Sequence, residues 1–157
     1  MVKLTLELPD GAFAAIKEDP AGFARELRQA DAVATEVLRG PKCDAERTDL
    51  ESGWGIRCSP TSAPETLKEW AIGEGETSVI AVALEKFPSV AILDDAQARR
   101  CARTMGVPVM GTLGILFLAE RKGGIPSFSD AVALLRANGM FVDEKLISEV
   151  NRLREKT

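Results

Sequence analysis

The sequence predicts an α/β fold, and three observations carry that reading. From Thr66 onward, amphipathic helical stretches alternate with short apolar runs. The run Val90-Ala91-Ile92-Leu93 is unbroken, as in a strand covered on both faces. Helices lying between successive strands call for parallel pairing through right-handed crossovers.

The elements follow in chain order. Residues 2–8 alternate strictly, with Val2, Leu4, Leu6 and Leu8 on one face and Lys3, Thr5 and Glu7 on the other, which predicts a half-exposed strand. Pro9-Asp10-Gly11 breaks it, and a short helical stretch follows. Asp19-Pro20 then supplies a helix start with proline at the first helical position. Phe23, Leu27, Ala30, Ala34 and Leu38 line one face of that helix until Gly40-Pro41 stops it. Residues 42–64 are polar and irregular, with a short strand expected at Trp54–Cys58.

A helix then starts near Glu76, with Val79, Ile80, Ala83, Leu84 and Phe87 on one face. The strand at Val90–Leu93 ends in Asp94-Asp95, and Asp95 can cap the next helix, whose stripe is Ala98, Cys101, Ala102 and Met105. Gly106 closes it, and Val107–Met110 reads as a second strand. Gly111-Thr112 leads into Leu113–Ala119, apolar nearly all round and therefore a buried helix. Two amphipathic helices finish the chain, one lined by Phe128, Val132 and Leu135, the other by Leu146, Ile147, Val150 and Leu153. Trp54 and Trp70 read as core or interface anchors.

Composition narrows the chemistry. A length of 157 residues suits one domain, and the net charge of −4 argues against a wholly basic nucleic-acid binder. There is no histidine and no tyrosine, which excludes a Ser-His-Asp triad, a Cys-His pair, histidine-bearing zinc sites and phenolic acid chemistry. Three cysteines, Cys43, Cys58 and Cys101, stand far apart with no C-x-x-C pair, as expected of reduced thiols in a cytoplasmic protein. The alternating opening is unlike a signal peptide, and the longest apolar run falls far short of a membrane span, so no membrane association is expected.

Carboxylates and a hard cation remain. Ligands of open parallel sheets bind outside the carboxyl ends of the strands, where Asp94 is expected to face the crevice. Turn and cap duties account for the Asp94-Asp95 pair equally simply. Glu76 shares the core-facing stripe of its helix, a costly place for an unpaired carboxylate, though the helix N-terminus favours an anion there. Converging acids without histidine or cysteine suit Mg²⁺ or Mn²⁺, and such ions point to phosphodiester chemistry. Arg99, Arg100 and Arg103 follow on the next helix, either a solvated face or a phosphate-attracting one. Gly111-Thr112 is a plain strand–helix turn or an anion corner with Thr112 as donor. Gly73-Glu74-Gly75-Glu76 is a poor pyrophosphate loop, because its two carboxylates would repel the ligand.

The stretches GEGETSVIAVALEKF (73–87) and VAILDDAQARRCARTMGVPVMGTLGILFLAERKGGIPS (90–127) resemble the PIN-domain family. In particular they are similar to a prokaryotic branch related to VapC-type toxins, over residues 33–155 or so. The resemblance implies a three-layer α/β/α domain with a central parallel sheet and Mg²⁺- or Mn²⁺-dependent cleavage of RNA. It implies catalytic roles for Asp94, Glu76 and Glu36, the last in ATEVLRG, and metal ligation by Asp94, Glu76 and Asp95. Two departures stand out. Ser78 occupies the place of the second glutamate of the family's G-E-x-E motif, and the family's opening strand ending in Asp-x-Ser is missing. Residues 1–30 instead resemble the start of small antitoxin-like proteins, dividing the chain into a head (1–30) and a PIN-like region (31–157). Residues 2–8 are expected either to replace that missing central first strand or to pair in an oligomer, and Asp10 is a candidate to replace the missing aspartate. The expected partners are an RNA substrate, an antitoxin-type protein and a second copy, since an exposed terminal strand invites pairing. The competing expectation is a non-enzymatic regulator or binding module on an inactive PIN scaffold.

Overall fold

A computed structural model describes residues 28–39, 45–53, 56–86 and 88–155. The expected strand at 2–8, the first part of the helix after Pro20, and Asp10, Cys43, Trp54 and Phe87 lie outside the described residues.

The chain runs β1 (Arg28–Ala30), α1 (Asp31–Arg39), α2 (Ala45–Glu51), β2 (Ile56–Cys58), α3 (Glu65–Lys68) and α4 (Glu74–Glu85). It continues through β3 (Ala91–Ile92), α5 (Ala96–Thr104), β4 (Val109–Met110), α6 (Thr112–Arg121), α7 (Phe128–Ala137) and α8 (Glu144–Glu155). Both strand pairs are parallel, as the alternation of helices and strands requires. β1 pairs with β2 from Arg28↔Ile56 to Ala30↔Cys58, and β3 pairs with β4 at Ala91↔Val109 and Ile92↔Met110. The mixed α/β class is therefore as expected. The sheet is small: among the described residues it consists of two separate two-stranded pairs.

Two local expectations need correction. The helix foreseen from Pro20 through Leu38 is not continuous, because Arg28–Ala30 is drawn into the ladder with β2 and α1 begins at Asp31. Tertiary pairing outweighs helix periodicity there. Asp31 then joins the two elements, accepting from Arg57 Nε at 2.8 Å and from the Ser59 hydroxyl. These two donors hold its carboxyl below the usual range, Ser59 first and Arg57 next. The stretch expected to be irregular contains α2, which escapes periodicity because Leu50 is its one buried apolar residue among those described. Arg47 anchors it, pairing with Glu51 at 2.8 Å and donating to the Leu38 carbonyl at 2.7 Å.

The core has two parts. In one, Leu67, Ile80, Ala83, Ala91, Leu93, Ala98, Cys101 and Val109 pack α3, α4 and α5 against the β3–β4 pair. In the other, Met110, Leu113, Phe117, Phe128, Val132 and Val150 join α6, α7 and α8. α4 is buried beyond a single stripe, since Ala81 and Val82 are covered along with Ile80 and Ala83. Leu153, expected to line α8, is 47% exposed because the last turn of that helix runs past the core. Trp70 packs at the edge of the first core, and Gln97 Nε2 donates to its carbonyl, tying the turn before α4 to α5.

Candidate functional site

The site is assembled by the β3–β4 pair. Ala91 and Leu93 donate to the carbonyls of Pro108 and Met110 at 2.8 and 2.9 Å, after which the chain leaves the sheet. Asp94 therefore stands at the carboxyl end of β3. The neighbouring strand ends at Met110, Gly111 caps α6, and Thr112 opens that helix. The Thr112 hydroxyl donates to the Asp94 carboxylate. From α5, Arg99 brings a positive charge into the same buried place, at 7% exposure.

Asp94 is 6% exposed, and its Oδ1 has no hydrogen-bond partner among the described residues. Burial pushes its pKa up to about 7, and the opposing pull of Arg99 and Thr112 does not restore it. A carboxylate held this way is poised between its two charge states near neutrality. It also keeps one oxygen uncommitted in a place where burying a polar atom is costly.

The other candidate acids are placed differently. Asp95 is exposed and caps α5, accepting from Gln97 N at 2.8 Å and Ala98 N at 2.9 Å. Glu76 is half-buried in the first turn of α4 and folds back over Gly73, where a Cβ would overlap its Oε2. That is the posture of a third-position glutamate turned toward its own helix start. Glu36 is exposed on α1, yet it reaches the same turn, since a Cβ on Gly75 would lie 3.4 Å from its Oε2. The packing of α1 on α4 thus brings Glu36 to the segment that bears Glu76. Ser78, in place of the family's second glutamate, is buried on α4.

Asp94 passes the test for a hard-cation ligand, being a buried acid with an uncommitted oxygen at a strand end. The set as a whole does not: among the described residues, no three His, Cys, Asp or Glu side chains gather closely enough to hold a metal ion. The described acids thus contribute at most part of a cation site.

Two partners of Asp94 were not assigned to it from the sequence. Thr112 was read as a helix-start donor for an anion, and its hydroxyl goes to Asp94. Arg99 was grouped with Arg100 and Arg103 on a solvated or phosphate-facing surface; those two are exposed, whereas Arg99 is buried. The signal was present in the helical wheel. At 100° per residue, Arg99 lies only about 60° from Ala102, nearest the apolar stripe of the three.

A parallel α/β domain with a buried acid at a strand's carboxyl end, met there by a helix start, defines an acidic-site class. A family model described as a PIN domain matches residues 24–156, and the chain belongs to the PIN-domain family, a nuclease-type fold family. No curated protein and no solved structure matches the chain. No helix among the described residues is long and apolar enough to cross a membrane.

Proposed function

We propose that this chain is a toxin–antitoxin-type PIN protein that hydrolyses RNA phosphodiesters with Mg²⁺ or Mn²⁺, centred on Asp94. The observation that supports this reading is the Oδ1 of a buried Asp94, which has no hydrogen-bond partner among the described residues. A bound divalent ion supplies a nucleophile from water and neutralises phosphate charge. Asp94 would be its ligand, with Glu76 and Glu36 coming from the α1–α4 contact. The protein's own contribution is to orient Asp94 through Thr112, to balance its charge with Arg99, and to keep water from its buried flank. Arg100 and Arg103 are exposed on α5, where they would attract a phosphate backbone.

A second reading, a non-enzymatic partner-binding module, is favoured by one observation: the described acids do not converge in threes. Calorimetric titration with Mn²⁺ at pH 8, paired with cleavage of an RNA oligonucleotide pool, separates the two. The nuclease reading expects one bound ion and cleavage, both lost in Asp94→Asn. Absence of both binding and cleavage at millimolar Mn²⁺ favours the module, whereas cleavage indifferent to Asp94→Asn overturns the site centred on Asp94.

A further inference from the structure

We infer, on the reading of Asp94 as a cation ligand, that Arg99 is its built-in counter-ion, opposing a divalent ion and weakening the site's hold on metal. Among the described residues only two charged side chains are buried, Asp94 and Arg99, and they carry opposite signs. Each lowers the cost of keeping the other out of water. The backbone shows why they meet. Asp94 directly precedes the cap of α5, and the Arg99 N–H donates to the Asp95 carbonyl at 3.0 Å, closing the first turn of that helix. A helical side chain leans toward the N-terminus of its helix, over the preceding turn. Arg99 is accordingly directed back toward the end of β3, whereas Arg100 and Arg103 leave α5 on its exposed side. After burial, the positive charge of Arg99 is the strongest influence on the Asp94 carboxyl, ahead of Thr112.

The same arrangement accounts for the incomplete fit to a metal. A hard cation is held by several converging oxygens, yet no three acids gather among the described residues, and Asp95 is committed to its cap. Arg99 instead supplies, from within the fold, positive charge of the kind a metal would bring to Asp94. It does not close the site, because Asp94 Oδ1 has no hydrogen-bond partner among the described residues. An arginine cannot shed its proton to make room. A divalent ion at Oδ1 therefore binds against a permanent positive charge buried beside it.

Calorimetric titration of the full chain with Mn²⁺ at pH 8 tests this on wild type, on Arg99→Met, which removes the charge, and on Arg99→Lys, which keeps it. The methionine variant should bind Mn²⁺ at least about tenfold more tightly, since a neighbouring unit charge at protein-like dielectric is worth more than that to a divalent ion. A divalent ion feels the lost charge twice as strongly as a proton does, so tighter proton binding by Asp94 does not cancel the gain. The lysine variant should stay close to wild type, which separates charge from packing. Binding by Arg99→Met where wild type shows none supports the inference equally. Unchanged or weaker binding by folded Arg99→Met overturns it while leaving Asp94 as a ligand, and so does equal tightening in Arg99→Lys. Absence of binding in all three proteins overturns the metal reading of Asp94 and this inference with it. If Arg99→Met does not fold, NMR of the intact chain decides. The Arg99 Nε–H signal should shift as Mg²⁺ fills the site, and a signal unmoved by saturating Mg²⁺ overturns the inference.

Discussion

Asp94→Asn should stabilise the metal-free protein, and by an amount that depends on pH in a defined direction. The folded state raises the pKa of Asp94 from an ordinary 3.8 to about 7, through burial. Below pH 4 the side chain is protonated in both folded and unfolded chains and contributes nothing. Between pH 4 and 7 the unfolded chain releases this proton while the folded one retains it, so stability falls as pH rises. Above pH 7 the loss is complete. A shift of about 3 units at 1.36 kcal/mol each sets it at about 4 kcal/mol. Asparagine reproduces the shape of the protonated acid without its titration. Urea unfolding followed by tryptophan fluorescence, in chelator, should therefore show the variant matching wild type near pH 3.5 and exceeding it by up to about 4 kcal/mol at pH 8. A pH-independent difference, or a less stable variant at pH 8, would refute the assignment of Asp94 as a destabilising buried charge.

Three further outcomes follow from individual contacts. Asp95→Ala should cost about 1 kcal/mol through the lost cap of α5 while leaving Mn²⁺ titration unchanged, which urea melts and calorimetry check separately. Ala71, a non-glycine residue at φ 48°, should gain up to about 1 kcal/mol of stability on replacement by glycine, since the left-handed conformation costs it that much. Burial raises the thiol pKa of both Cys58 and Cys101, and Cys101 is fully buried. Mass mapping after treatment with a maleimide should find Cys58 modified slowly and Cys101 only once the protein is unfolded.

The elements legible in advance were those whose burial writes a strong pattern. The uninterrupted run at 90–93, the Asp95 cap and the all-apolar segment before Ala119 each have one dominant physical cause, and each appears where expected. β1 was not legible, because Arg28–Ala30, whose Ala30 continues an apolar helical stripe, is claimed by a partner 28 positions away in the register Arg28↔Ile56. α2 was hidden for the opposite reason: it is held by Arg47 and one leucine, and has no stripe to read. At the site, the position of Asp94 could be read from strand termination alone. Its surroundings could not, because Arg99 and Thr112 come from α5 and α6 and meet it only through the β3–β4 pairing.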